Sequence, residues 1–203
     1  MKILITAFEP FASHESNASE TLLLSLPNHY RNTEIIKKTL PVVYEKAYQS
    51  LLSEVDEEIS AIVMLGLAAE SKTIRLERIA VNLNDSKTAD NQGTIIQGAC
   101  IDPSGHDGYF STLPLRLIYE TTIKKDLPVS ISPSAGTYVC NDVMYRVLHY
   151  ISNQQRMIPA GFIHVPHILE ASKEALSLPG LELKVMQETM MSVLDKLIDH
   201  IYS

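Results

Sequence analysis

The sequence predicts an α/β fold with a mostly parallel sheet. Short apolar runs, which are typical of buried strands, alternate along the chain with longer segments whose apolar residues recur at the 3.6-residue helical period. The 203 residues contain no internal repeat and no low-complexity linker, and 45% of them are hydrophobic. A chain of this length can bury one sizeable core, so we expect residues 1–203 to form a single domain.

The N-terminal half is predicted to contain three strands and two helices. Ile3–Ile5 is the first strand, and Asn17 caps the first helix, with Glu20 three residues later completing a capping-box pattern. The apolar face of this helix consists of Leu22, Leu23 and Leu26. We then predict a strand at 34–40, a helix at 43–55 and a strand at 60–65. The last of these is apolar almost throughout, which is typical of a strand buried on both faces.

The C-terminal half is predicted to continue the alternation after an extended segment, Thr73–Leu83. Residues 84–108 are rich in Asp, Asn and Gly, and a polar stretch of this length favours a hairpin with a loop. We next predict a helix at 113–125, a strand at 129–132, a helix from Tyr138 and a strand at 160–165. A terminal helix is marked by apolar residues at helical spacing: Met186, Met190, Val193, Leu194, Leu197 and Ile201.

Charge and apolar pattern exclude two classes of partner. The chain has 24 acidic and 17 basic residues, a net charge of -7, and no basic stripe, so a nucleic-acid partner is not expected. The longest apolar stretch, Ala61–Ala69, is far shorter than the roughly 20 residues that span a bilayer. Met1–Thr6 enters a strand without the apolar region of a signal peptide, so we expect no membrane partner and a cytoplasmic location.

The two cysteines, Cys100 and Cys140, are too few for a disulfide framework or a four-ligand zinc site. This count fits a reducing compartment, in which a thiol stays free. Cys100 lies in the irregular polar region between Ala99 and Ile101, and we interpret it as structural.

Cys140, in "SPSAGTYVCNDVMYRVLH", admits two interpretations. It shares a helical stripe with Val143 and Val147, which favours a small core residue. It also lies in the first turn of the helix, where unpaired N–H groups and the positive end of the macrodipole stabilise a thiolate. The small residues of Ser134–Thr137 let backbone amides approach a ligand and donate to an oxyanion.

His164 is the candidate base for such a nucleophile. It ends the apolar strand of "AGFIHVPH", and ligands of open α/β sheets gather at the carboxyl ends of strands, where the helices that follow strands begin. His149 is nine residues beyond Cys140, about 13 Å along the helix, which is too far. The alternative is a core histidine bonded to a carbonyl. His167 gives HxxH spacing without a carboxylate-rich partner motif, so no metal site is expected.

Glu77, in "TIRLERIAVN", is the candidate for orienting the imidazole. Glu77 is an even number of residues from Ile79, Val81 and Leu83, so in one continuous strand all of these side chains would lie on the same face. Placing a carboxylate on an apolar face costs free energy unless it has a partner. The alternative is a structural ion pair with Arg75 or Arg78.

Five stretches, taken together and in order, resemble a known family. They are "TAFEPF" at 6–11, "TIRLERIAVN" at 73–82, "ADNQG" at 89–93, "SAGTYVCN" at 134–141 and "GFIHVP" at 161–166. The chain resembles the pyrrolidone carboxyl peptidases, also called pyroglutamyl peptidase I, which are cysteine peptidases that remove an N-terminal pyroglutamyl residue. The resemblance implies a three-layer α/β/α sandwich with a mostly parallel twisted sheet, no cofactor, pyroglutamylated peptides as substrates, and a homo-oligomer, either a tetramer or a dimer.

The resemblance also assigns roles to residues. It implies Cys140 as nucleophile, His164 as base and Glu77 as orienting acid, the same three residues that spacing indicates. The pocket for the lactam ring is implied to include five residues: Phe8, Phe11, Lys87, Tyr138 and Val139.

Several positions depart from the family pattern. Ala7 replaces a usual Gly, Lys87 replaces a usual Arg near the site, Ala89 replaces a usual Pro, and residues 66–71 differ from a Gly-Gln-Ala-Gly-Gly-Arg-like run. Lysine keeps the charge but loses the planar fork of arginine. Two alternatives therefore stay open: an amidase for another small cyclic or amide substrate, and a non-catalytic α/β binding module.

Overall fold

A central sheet carries the site, and its strands are numbered here in chain order. The computed structural model describes residues 1–11, 15–154, 157–169 and 179–203. In this part of the chain the strands are β1 Lys2–Phe8, β2 His29–Tyr30, β3 Thr33–Leu40, β4 Ile59–Leu67, β5 Ile74–Glu77, β6 Ile79–Val81, β7 Gly108–Phe110, β8 Val129–Ser132, β9 Ala160–Val165, β10 His167–Ile168 and β11 Gly180–Leu181. The helices are α1 Ala18–Ser25, α2 Lys46–Leu52, α3 Leu115–Ile123, α4 Val139–Ser152 and α5 Leu183–Tyr202.

The main sheet has the strand order β2-β3-β1-β4-β9-β5-β8. Its centre, β3, β1, β4 and β9, is parallel, which confirms the predicted mostly parallel α/β sheet. At one side β5 is antiparallel to β9 and parallel to β8, and at the other side β2 is antiparallel to β3. Two smaller sheets join β6 to β7 and β10 to β11.

Helices cover both faces of the sheet, which confirms the three-layer sandwich. Alternate residues of β1 enter different cores: Ile3 and Ile5 pack on one side, and Leu4 packs on the other. The first core includes the apolar faces of α1 and α5, and the second includes those of α2 and α4. The apolar run of β4 is uninterrupted because both faces of the central strands are buried.

One predicted helix start is confirmed, with a different capping bond, and another differs from the observed one for a local reason. The Asn17 side chain caps α1, but its oxygen accepts from the Ser19 N–H (3.0 Å) rather than from Glu20, the capping-box position. Helix α2 begins at Lys46 and not at residue 43, because Glu45 has a φ of 60°, which is outside the helical region.

The predicted extended segment 73–83 is two strands, β5 and β6, which separate at Arg78. Strand β6 pairs antiparallel with β7 across a long loop, in which Asn84 and Ala99 form an isolated bridge. The predicted hairpin with a loop is thus confirmed. No helix in the described part of the chain is both long and apolar enough to cross a membrane.

Candidate active site

Cys140 lies in the first turn of α4 and is half-buried. The first helical hydrogen bond is donated by Asp142 to the Tyr138 carbonyl (3.0 Å), so the amides of residues 139–141 precede the helical ladder. On the same helix Val143 and Val147 are fully buried in the core. Both interpretations of the stripe therefore hold in part: the helix face is core, and its first turn presents the sulfur at the edge of that core.

Two buried polar residues next to Cys140 fix the start of the helix. The Asn141 side chain accepts from the Val81 N–H (2.9 Å) and donates to the Val81 carbonyl (2.9 Å), which ties α4 to β6. The Asp142 carboxylate accepts from Asn84 Nδ2 (2.8 Å) and from Arg146 Nε (3.1 Å). The sequence prediction missed these anchors. Their signal is an adjacent Asn-Asp pair inside an otherwise apolar helical stripe.

His164 and Glu77 form a buried pair beside the sulfur. His164 Nδ1 and Glu77 Oε1 are 2.9 Å apart, and the two side chains are 11% and 1% exposed. Burial lowers the pKa of His164, but hydrogen bonds to Cys140 and Glu77 and their negative charges outweigh it and raise that pKa to about 9. Since Nδ1 bonds to Glu77, Nε2 is the ring nitrogen left for the thiol. The structure thus brings the three predicted residues together, with Cys140 near enough to His164 to contribute to the rise of its pKa.

The reasoning that placed Cys140 beside His164 is only partly right. It assumed that the strand before α4 is parallel to β9, but β8 pairs with β5, which is antiparallel to β9. Residues 133–138 therefore form the connection that brings the start of α4 to the carboxyl end of β9. Hydrogen bonds hold this connection, including one from the Asp85 N–H to the Thr137 carbonyl (2.9 Å).

The prediction that Glu77 shares a strand face with Ile79, Val81 and Leu83 is wrong. Because the chain breaks its extended run at Arg78, Glu77 does not share a face with the residues of β6. In β5 the core residues are Ile74 and Leu76, and Glu77 lies on the opposite face, towards His164. In the described part of the chain Glu77 pairs with His164, and neither neighbouring arginine takes that place.

Gly66 makes room for the sulfur. It is opposite His164 in the parallel register of β4 and β9. A β-carbon at this position would be 2.7 Å from Phe162 Cζ and 3.1 Å from Cys140 Sγ, both closer than ordinary contacts. A larger residue would therefore displace the aromatic ring or the thiol.

A small cleft of about 50 Å³ opens directly beside Cys140. Four of the residues that the family resemblance implies for the lactam pocket line it: Phe8, Phe11, Tyr138 and Val139. The sequence prediction missed three further lining residues: Asn17, Val42 and Leu67. Asn17 was identified only as a helix cap, and Val42, which lies between the predicted strand at 34–40 and the predicted helix at 43–55, was given no role. Neither assignment carries a signal for the cleft, since the contacts depend on how distant loops converge.

Two predicted features lie outside the cleft. Lys87 is exposed in the long loop and is not among the cleft-lining residues, so its contact with substrate stays a prediction. Cys100 is exposed, so its interpretation as a structural residue is wrong. No group of three or more His, Cys, Asp or Glu side chains in the described residues is arranged to hold a metal ion.

Sequence comparisons agree with this geometry. The family model described as pyroglutamyl peptidase matches residues 1–198. The chain is 36% identical over 199 residues to pyrrolidone-carboxylate peptidase 1 of Caldanaerobacter subterraneus subsp. tengcongensis, covering 98% of each chain. It is 41% identical over 171 residues to the pyrrolidone-carboxylate peptidase of Brachyspira hyodysenteriae, covering 84% of this chain and 85% of the relative.

Solved structures show the same similarity in three dimensions. The pyrrolidone carboxyl peptidase of the hyperthermophile Pyrococcus furiosus superposes with a TM-score of 0.92 at 32% identity, covering 99% of this chain and 100% of the other. The pyroglutamyl peptidase I of Bacillus amyloliquefaciens superposes with a TM-score of 0.89 at 29% identity, covering 97% and 95%.

Proposed function

The chain belongs to the pyroglutamyl peptidase family, and from this premise we propose that Cys140, His164 and Glu77 carry out its reaction. The protein is a cysteine peptidase that removes N-terminal pyroglutamate. One observation carries the assignment of residues: the imidazole of His164 bonds to the buried carboxylate of Glu77 and lies beside the thiol of Cys140, which contributes to the rise of its pKa. A nucleophile, a base and a group that orients the base are the minimum for acyl transfer by a thiol.

His164 takes the proton of the Cys140 thiol, which leaves a thiolate beside the imidazolium. The thiolate attacks the pyroglutamyl carbonyl, and amides at the start of α4 hold the resulting oxyanion. His164 then donates its proton to the departing peptide amine, which leaves a thioester on the sulfur. Water, deprotonated by the now neutral imidazole, hydrolyses the thioester and releases pyroglutamate, and the proton returns to the Cys140–His164 pair.

Glu77 acts through His164. Its carboxylate accepts from Nδ1–H and so keeps Nε2 directed at the sulfur. Because the carboxylate is buried, its charge is little screened and stabilises the imidazolium that the reaction needs.

The cleft accounts for recognition of a cyclic, uncharged N-terminus. Phe8 and Phe11 supply aromatic walls, and Val139 adds an apolar surface beside the sulfur. A cleft this small excludes extended side chains, and polar backbone groups at its edge can bond to the lactam. Peptides that carry an N-terminal pyroglutamyl residue are therefore the substrate class.

The test is release of a fluorogenic amine from its pyroglutamyl conjugate by the wild-type protein and by Cys140→Ser. We expect the substitution to lower kcat by at least about 10³-fold, because a hydroxyl is a far weaker nucleophile than a thiolate at neutral pH. Cys100→Ser is the matched control and should keep wild-type kcat. Wild-type activity in Cys140→Ser would refute the assignment.

We infer further that residues 1–203 act as one catalytic domain, in the cytoplasm, as a homo-oligomer of two or four copies. A free thiol nucleophile needs a reducing compartment, which supports the location. Large apolar side chains that are about two-thirds exposed support assembly: Leu24, Phe110 and Met157. Light scattering coupled to size-exclusion chromatography measures the oligomeric state, and a monomer at micromolar concentration would contradict it.

A further inference from the structure

The walls of the cleft come from segments that are far apart in sequence and meet where strands of the main sheet end. Phe8 and Phe11 flank the loop after β1, Val42 lies between β3 and α2, and Tyr138 precedes α4. The β1–β3 ladder ends at the Phe8–Leu40 pair, so other contacts must hold Phe11, Val42 and Tyr138 in place beyond it and set the width of the cleft.

Glu9 and Asn91 make those contacts. Glu9 Oε1 accepts from the Val42 N–H (3.2 Å) and from Asn91 Nδ2 (2.8 Å). Asn91 Nδ2 also donates to the Pro10 carbonyl (3.1 Å), and the Asn91 N–H donates to the Val42 carbonyl (2.9 Å). One carboxylate and one amide thus join the Phe8–Phe11 loop, the Val42 segment and the long loop.

The long loop carries this connection to the remaining wall. The Tyr138 hydroxyl donates to the Ala89 carbonyl (2.9 Å), two residues before Asn91. Between them, the buried Asp90 carboxylate accepts from the N–H groups of Gln92 and Thr94 and so fixes the shape of this turn. Hydrogen bonds therefore run from the aromatic loop, through Asn91, to the residue that opens the catalytic helix.

We propose that Glu9 and Asn91 form a clasp that sets the width of the cleft and thereby selects the five-membered lactam ring. The clasp rests on the proposed function, because it presumes that this cleft holds the pyroglutamyl ring. Neither residue lines the cleft, so both are positioning residues that act through the walls. Opening the clasp should weaken substrate binding and size discrimination while leaving the chemistry at Cys140 intact.

The experiment is a charge-exchange cycle. Asn91→Asp places a second carboxylate against Glu9 and removes the amide N–H that Glu9 accepts from. KM for a pyroglutamyl fluorogenic amide should therefore rise about fivefold. This corresponds to about 1 kcal/mol of binding free energy, since a tenfold change is 1.4 kcal/mol. The kcat value should change by less than about twofold. In the double variant with Glu9→Gln, the new amide N–H can donate to the new carboxylate, so KM should return towards the wild-type value.

Two further measurements, the preference for ring size and the reactivity of Cys140, distinguish a change in the cleft from a general loss of stability. The preference for the pyroglutamyl amide over its six-membered lactam homologue should fall in Asn91→Asp and recover in the double variant. The rate at which iodoacetamide alkylates Cys140 should stay at the wild-type value throughout. Gln92→Glu, which adds the same charge one residue away on an exposed side chain, is the matched control and should leave KM unchanged.

The possible results separate two failures. If the wild type hydrolyses the pyroglutamyl amide but KM in Asn91→Asp is unchanged, or is not recovered in the double variant, the clasp is refuted and the proposed function stands. Slowed alkylation in Asn91→Asp also refutes it, since the effect would then reach the nucleophile. If the wild type does not hydrolyse the pyroglutamyl amide, the proposed function fails and the clasp fails with it.

Discussion

The described residues include two histidine–carboxylate pairs that can be compared, and we propose a catalytic role for only one of them. His164 pairs with Glu77 at 2.9 Å, and His149 Nε2 lies 3.5 Å from Asp102 Oδ2. The first pair is almost wholly buried, whereas the His149 and Asp102 side chains are 22% and 31% exposed. Distance and chemistry alone therefore do not identify an active site.

The difference lies in what the second ring nitrogen faces. His164 has a thiol there, beside a cleft, whereas His149 Nδ1 bonds to the Tyr109 hydroxyl at 2.7 Å within a group of packed rings. The Asp102 carboxylate is also used locally: the Ser104 hydroxyl and N–H bond to it and lower its pKa. The pair at His149 joins the hairpin region to α4, whereas the pair at His164 activates the nucleophile in the mechanism that we propose.

Replacing each histidine in turn gives the largest expected contrast. His164→Gln should lower kcat by about 10²–10⁴-fold, the usual contribution of a general acid–base group. His149→Gln should leave kcat within about twofold of wild type, because it lies about 13 Å along the helix from Cys140. Steady-state hydrolysis of a pyroglutamyl amide measures both values. Equal losses in the two variants would show that the pairs are coupled and would contradict the distinction.

Replacing each carboxylate by its amide tests the role of charge. Glu77→Gln keeps an oxygen that can accept from Nδ1–H but loses a charged hydrogen bond, about 1.5–3 kcal/mol, which corresponds to roughly 10- to 100-fold in kcat. Asp102→Asn should leave kcat unchanged, since the side chain is part-exposed and remote from the sulfur. If Glu77→Gln retained full kcat, the carboxylate would have only a structural role.

The buried pair also predicts how stability depends on pH. The pKa of His164 in the folded state, about 9, is above its ordinary value of 6.5, because bonds to Cys140 and Glu77 outweigh burial. The folded state therefore binds the proton more tightly, and this stabilisation is complete below pH 6.5 and is lost as pH rises through about 9. The melting temperature of wild type minus that of His164→Gln should fall over this range. A difference that grows with pH would contradict the sign of the shift.

Much of the site could be predicted from sequence because its signals are local. Cys140 starts a helix and His164 ends an apolar strand, and the surrounding motifs resemble one family along the whole chain. The direction of β5 and β8 could not be predicted in this way, since it depends on pairing between distant strands. The three residues that the structure brings together were thus predicted from an argument that assumed the wrong strand direction.

Other features escaped prediction because they join distant segments. The φ of 60° at Glu45, which delays α2, has no signal in the residue type. Asn91 and Glu9 are 82 residues apart, and each looks like an ordinary polar loop residue until the fold brings them together. Long-range hydrogen bonds between loops are therefore the part of this site that the sequence pattern leaves open.

The smallest expected effect comes from the non-catalytic pair. Tyr109→Phe removes the short hydrogen bond to His149 and the longer one from the His106 N–H (3.3 Å), but keeps the ring that packs 5.1 Å from Tyr145. Losing the bond to His149 costs about 1 kcal/mol, which lowers the melting temperature by about 2–4 °C in a domain of this size, and the exposed bond from His106 adds little. Both kcat and KM should remain at wild-type values, because this cluster contacts α4 below its catalytic first turn. Thermal unfolding and steady-state kinetics on the same preparation measure the two effects, and a fall in kcat without a fall in melting temperature would show that the cluster does reach the site.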